Sequence, residues 1–442
     1  MPRPISNFKS KIRRDSFRQY LVLFAVLFLG LRLLCLLTAI ETFSYPEELL
    51  RGNIGTQIMQ GLQKPLWDYQ IDPYSGGSLA VAALAALFFS VLGKTLFALK
   101  LVPVICFYLP AGFLMILFLR DFFSARAAVF GALLFIFPAP AMLKMSAAAM
   151  GFHSESILFN IGILYAYYGW KTRESGDVYL TAFGVLSGLG IWFTPLTAVS
   201  TACCLLDAAF NHRSKLRSRA LLLAFAFLLG LMPSLLYNLS HRLDGFHFIA
   251  NGFVTKERFH EGPLAFLQFF KQRISGLLFR VLPLSYGFQC RFENRGEFLS
   301  FVYCLLSMAA CAGISWDFIK QKKLGQVLPL VLYPVLFTVV YAASNFDFTS
   351  QESLMDSRYF IPLHFYLGMT AAIFAAGEGK LRKAVYGLIL GLGLVSYSAF
   401  VFKSDFGRVF QYQGFRSSVE EFTDAEIQNA APETFDRIYN NR

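Results

Sequence analysis

Adjacent carboxylates, Glu47 and Glu48, open the segment "PEELLRGN" (46–53), directly after a long apolar run. Two more acids, Asp68 and Asp72, follow in "PLWDYQIDPYSGGSL" (65–79), with Tyr69 between them. His153 and Glu155 lie in "KMSAAAMGFHSES" (144–156), and Arg358 and Tyr359 in "SLMDSRYFIPLHF" (353–365). A carboxylate can take the proton of an attacking hydroxyl, and a guanidinium offers a planar fork to phosphate oxygens. Three separate segments thus carry acids, an imidazole and an arginine, side chains suited to acid–base work and to holding an anion, and ionisable groups near membrane depth tend to be functional.

Each residue also has an ordinary structural role. Ser44 and Glu47 fit a capping box, S-x-x-E, and Glu47 with Arg51 is a routine helix pair four residues apart. Glu48 is turned about 100° from Glu47 on a helix, so only one of them faces a given cavity. Glu155 suits the positive end of the helix it opens. His153 reads as a polar interfacial residue, and Arg358 as a side chain snorkelling to headgroups. Yet "SRYFIP" sets Arg358 beside Tyr359 and ahead of Pro362, with Asp356 placed to orient it. Turn chemistry accounts for Asp72-Pro73 and Gly76-Gly77. Arg32, in the far half of the first apolar run, has no local partner and is placed to reach Glu47 or Glu48.

The elements that carry these residues are membrane spans. Of 442 residues 56% are hydrophobic and only 15% charged, with a mean hydropathy of +0.51; soluble domains carry about 25% charge. Runs such as "YLVLFAVLFLGLRLLCLLTAI" are long enough for a hydrocarbon core of about 30 Å. Net charge is +12, but Lys and Arg concentrate in short segments between apolar runs, which is the positive-inside pattern rather than a nucleic-acid surface. The amino-terminal residues 1–19 are basic and precede an uncleaved first span, which places them in the cytoplasm.

Charge sets the topology. Spans are expected at 20–40, 97–119, 127–143, 155–170, 178–193, 195–210, 219–237, 298–318, 325–343, 359–376 and 383–402. Every short basic cluster ("LRDFFSARAA", "WKTRESG", "NHRSKLRSR", "KQKK", "GEGKLRK") then lies inside. This requires the short run 78–93 to stay at the outer face without crossing. The outer segments are 41–96, 144–154, 238–297 and 344–358, and the tail 403–442 is also outside. The inner loops are too short for a nucleotide-binding domain, which argues against an ATP-driven pump. Seven cysteines show no metal-like spacing; most sit in apolar runs, and Cys290 falls in a long loop.

The acidic first outer segment resembles that of the GT-C superfamily of membrane glycosyltransferases, which includes protein O-mannosyltransferases, the lipid A aminoarabinose transferase and the catalytic subunit of oligosaccharyltransferase. In "FSYPEELLRGN" Pro46 stands where that family's motif often has Asp, and Glu47 holds the Glu position. "PAPAMLKMSAAAMGFHSESILFN" is similar to the second acidic loop, with Glu155 as the matching acid. "SRYFIP" is similar to an Arg-Tyr-x-x-Pro element whose arginine faces a lipid phosphate, and "GLMPSLLYN" (230–238) to another recurrent segment.

The resemblance implies an all-α polytopic membrane protein, a GT-C-like bundle of about eleven transmembrane helices with outer-face loop helices, in a bacterial inner membrane. It implies a transferase moving a sugar from a polyprenyl-phosphate donor to an acceptor at the periplasmic face. Glu47 and Glu155 would be its catalytic acids, Glu48 the alternative base, and Arg358 the ligand of the donor phosphate. His153, Asp68, Tyr69, Asp72 and Tyr359 would line the cavity. A divalent metal is a possible cofactor, with no ligand set assigned. A lipid or sugar transporter, or a non-catalytic assembly subunit, are the other readings; the lack of internal repeats and the acids at one face disfavour the transporter.

Overall fold

Proline and glycine positions divide the apolar sequence into helices, and no strand occurs among the described residues. The computed structural model describes residues 5–39, 46–62, 64–173, 176–252, 263–288, 294–344 and 357–402. Ser44, Cys290, Asp356 and the tail 403–442 lie outside these residues, as do parts of the segments 238–297 and 344–358.

Eighteen helices serve the description. They are α1 (Ile5–Ala39), α2 (Pro46–Gln60), α3 (Gly77–Leu92), α4 (Leu96–Val102), α5 (Leu109–Phe122) and α6 (Ala125–Ile136). Next come α7 (Pro140–Met145), α8 (Ile157–Thr172), α9 (Asp177–Phe193), α10 (Thr197–Asn211), α11 (Arg213–Ser218) and α12 (Ala220–Ser240). The last are α13 (Asp244–Gly252), α14 (Pro263–Gly276), α15 (Asn294–Lys320), α16 (Leu328–Ala343), α17 (Ile361–Ala376) and α18 (Lys380–Phe402). Each expected span except 127–143 is covered by helix, 97–119 by α4 and α5 together, and α3 matches the short run 78–93. Five stretches are long and apolar enough to cross a membrane by length and composition: Phe17–Thr38, Leu96–Phe122, Ala220–Ser240, Arg295–Lys320 and Arg358–Ala376. This is a multi-pass membrane protein.

The structure corrects the expected span 127–143. The helix stops at Ile136 and restarts at Pro140, because Pro138 and Pro140 lack the N–H a continuous helix needs and restrict the residues before them. The carbonyls left open at the end of α6 are taken by Arg32: Nη1 donates to Ile136 O at 3.0 Å and Nη2 to Phe135 O at 3.1 Å. Arg32 is thus buried as a helix cap, stacked over Phe28, and does not reach Glu47 or Glu48. A second proline, Pro103, sits at the head of the π-helical turn Pro103–Tyr108, which joins α4 to α5; such a turn absorbs the missing donor without ending the span.

Small residues set the closest crossing. A Cβ on Gly188 of α9 would stand 2.3 Å from Phe227 O, and one on Gly230 of α12 would stand 2.1 Å from Val185 O. The two backbones approach so closely that dispersion contacts replace side-chain interdigitation. One apolar core joins α1 and α3 to α10 with α15, α16, α17 and α18. Exposed leucines and phenylalanines on α1 and α12, including Leu221 and Phe225, present the apolar surface that a bilayer requires.

Candidate active site

Helix α2 sets the two adjacent glutamates on different sides. Glu48 turns inward and is fully buried; Lys100 of α4 donates to its Oε1 at 2.6 Å, and the Ala149 N–H donates to its Oε2 at 3.0 Å. Glu47 turns toward Arg358, whose Nη1 bonds its Oε2. The side chains of Arg358 and Glu47 are 14% and 18% exposed, whereas Lys100 and Glu48 are both at 0%. One acid is sealed into the fold and its neighbour stays open to a ligand.

Arg51, one turn further along α2, fixes Glu47 from below. Its Nη1 donates to the Glu47 carbonyl at 2.9 Å rather than to the carboxylate. Its Nη2 stands 4.0 Å from Asp72 Oδ2, and its guanidinium lies over the Phe152 ring. Burial pushes Asp72 up to about 6, opposed by Arg51 and Arg358 and reinforced by Glu47. The turn carrying Asp72 is tied to the end of α9: Ser75 Oγ donates to Phe193 O at 2.6 Å, and Gly76 N to Trp192 O at 2.7 Å.

Glu155 sits at zero exposure inside its own loop. Met150 and Gly151 N–H groups donate to its Oε1 at 2.8 and 2.9 Å, and Phe152 N–H and Ser154 Oγ to its Oε2 at 3.3 and 2.5 Å. Burial raises its pKa against the pull of those bonds. Four successive N–H groups, from Ala149 to Phe152, therefore end on two buried carboxylates, Glu48 and Glu155. Gly151 makes this turn possible: its φ is +68°, and a Cβ there would press on the Gly77 backbone.

The loop places His153 against Tyr359, with ring centroids 4.6 Å apart, and within 3.2 Å of Thr194 Oγ1. Burial, then Arg358, pushes His153 down to about 3, so the ring is neutral in the physiological range. Tyr359 also accepts a 3.3 Å bond from Arg358 Nη2. Glu47, Arg51, Asp72, His153, Arg358 and Tyr359 are thus drawn together from α2, two loops and the head of α17.

Three residues expected in the cavity sit elsewhere or are already engaged. Asp68 faces His241 at 3.2 Å. Tyr69 is buried in a small cluster with Ile54, Leu79 and Ala82. Glu155 has its oxygens filled by its own loop. Lys100 and Arg51 carry much of the local electrostatics, and neither was assigned a site role from sequence. A lone lysine inside the apolar run 97–119 is itself a signal that an acid lies opposite. Among the described residues no three His, Cys, Asp or Glu side chains converge to hold a metal. A cavity lined by Met142, Tyr286, Tyr303 and His364 lies apart from these residues.

No protein-family model matches the chain, and no curated protein matches it in sequence. Solved structures do. ArnT from Cupriavidus metallidurans in the apo state aligns with a TM-score of 0.57 over 87% of this chain and 76% of that one, at 13% identity. The chain has the GT-C fold. The same ArnT bound to undecaprenyl phosphate gives a TM-score of 0.55 at 12% identity, over 87% and 76% of the two chains. The archaeal oligosaccharyltransferase AglB from Archaeoglobus fulgidus, in complex with an inhibitory peptide and a dolichol-phosphate, aligns over 87% of this chain and 56% of its own, at 14% identity and a TM-score of 0.48. At these identities the likeness is one of fold, and the chemistry of this chain has to be argued from its own residues.

Proposed function

We propose that the protein is a membrane glycosyltransferase that moves a sugar from a polyprenyl-phosphate donor to an acceptor hydroxyl at the outer membrane face. The observation that carries this reading is the accessible Glu47–Arg358 pair, a carboxylate and a guanidinium brought together from residues 311 apart. The GT-C fold supports it, as does the ArnT structure bound to undecaprenyl phosphate.

In this reaction the acceptor oxygen attacks the anomeric carbon while the bond from that carbon to the phosphate oxygen breaks. Its electron pair leaves with the phosphate, and the anomeric configuration inverts. Glu47 takes the acceptor proton, since it is the accessible carboxylate of the pair. Arg358 holds the phosphate oxygens as charge develops on them, in bidentate geometry. Arg51 keeps the Glu47 backbone fixed. Glu48 and Glu155 shape the loop that presents His153 and backs Tyr359, and Glu155 serves as a loop anchor rather than a base.

Substitution separates these roles. Glu47→Gln is expected to lower turnover by at least about a hundredfold, the range of a lost general base. Arg358→Lys is expected to lower turnover more than it weakens donor affinity, because lysine offers a point charge in place of the fork. Full transfer in both variants, with the fold intact by thermal unfolding, would contradict the assignment. Equal losses of affinity and turnover in the lysine variant would reduce Arg358 to a binding residue.

A further inference from the structure

Glu47 and Arg358 act at opposite ends of the proposed reaction, yet in the structure they bind each other. We infer that this pair is an exchangeable latch: Glu47 occupies the guanidinium that the donor phosphate needs, and donor binding releases the carboxylate for use as a base. The inference rests on the proposed phosphate-binding role of Arg358.

Three observations and one point of chemistry carry it. The Glu47–Arg358 pair is partly exposed, whereas Glu48–Lys100 next to it is sealed, so one pair can be opened by a ligand and the other holds the scaffold. A phosphate and a carboxylate present the same kind of oxygen edge to a guanidinium and compete for it directly. Losing Arg358 does not set Glu47 adrift, because buried Arg51 still holds its carbonyl at 2.9 Å. Glu47 lies in the first turn of α2, where the helix dipole favours the freed carboxylate in its charged, proton-accepting form. Coupling the two events keeps the base paired until a donor is seated.

The latch makes a counterintuitive prediction: removing the base tightens donor-lipid binding. Undecaprenyl phosphate is titrated into the purified full-length protein in detergent at pH 8, following tryptophan fluorescence. Glu47→Gln is expected to lower the Kd by roughly three- to tenfold, the scale of a partly buried ion pair. Removing any nearby acid would also relieve repulsion toward phosphate, so two comparisons isolate the exchange. Asp72→Asn lies in the same field and is expected to tighten binding less than Glu47→Gln. In an Arg358→Ala background the effect of Glu47→Gln is expected to shrink to the size of the Asp72→Asn effect, because only the relief of repulsion remains once the direct pair is gone.

Unchanged or weaker binding in Glu47→Gln would overturn the latch, as would tightening of equal size in the Arg358→Ala background. A Glu47→Gln protein that is inactive but binds no tighter would leave the transferase reading standing without the latch. A wild-type protein that binds no undecaprenyl phosphate at all would overturn both.

Discussion

Two neighbouring glutamates with different surroundings define the chemistry at the residue scale. Glu47 is accessible and paired with an accessible arginine; Glu48 is buried on a buried lysine. Asp72 adds a titratable charge to the same field, raised by burial to about 6. Arg51, Arg358 and Glu47 are the charged groups that face it, while His153, pushed down to about 3, stays neutral above pH 4. Below about pH 6 Asp72 is protonated and the site carries one negative charge fewer, which favours an incoming phosphate. Above that pH the ionised carboxylate opposes it. Affinity for a polyprenyl phosphodiester is therefore expected to fall as pH rises from 5 to 7.5, by about twofold, less than the gain from Glu47→Gln. Asp72→Asn is expected to keep the tighter value throughout. A wild-type profile that Asp72→Asn leaves unchanged would assign the dependence to another group.

The elements around the site are held by long-range polar contacts more than by helix propensity. Lys100 joins α4 to α2 and to the loop before α8: its Nζ donates to Glu48 and lies 3.5 Å from Ala147 O. Removing one partner of such a pair strands a charge in a dry interior, at a cost of about 3–5 kcal/mol. Lys100→Met is expected to lower the thermal unfolding temperature clearly, and adding Glu48→Gln should restore most of the loss. A Lys100→Met protein as stable as the wild type would show that the pair does not brace the site. These contacts also mark where sequence reading stops. Helix positions were legible because apolar runs and basic turns are local signals, and Glu47 and Arg358 stood out as charges at span ends. The Glu48–Lys100 pair and the α6 cap by Arg32 join residues with no shared period or spacing, whereas Glu155 is withdrawn by its own near neighbours through the positive-φ turn at Gly151. The break at Pro138 and Pro140 was local, but the hydropathy of 127–143 masked it.

For the whole molecule, the contacts at the two flanks of α3 bear on which way the bundle faces. Gly77 at the head of α3 abuts Gly151, and Lys100, just beyond its far end, reaches Ala147 and Glu48. Both flanks of α3 thus touch the same short loop, which favours a helix that stays at the site end. The run Leu96–Phe122 then makes its own crossing from that end. A reporter fused after Lys94 is expected to behave as periplasmic and one after Arg126 as cytoplasmic; the reverse result at Arg126 would invert the bundle and move the site to the other face.

The most direct test of the account is chemical. Purified wild-type protein would be incubated with a panel of radiolabelled polyprenyl-phosphate sugars, with and without a membrane extract supplying acceptors, and the label followed away from the lipid. The account predicts that at least one donor is cleaved, by transfer or slow hydrolysis, and that Glu47→Gln and Arg358→Ala abolish the cleavage. Donors that bind yet all remain intact, or a Glu47→Gln protein that cleaves as fast as the wild type, would contradict it.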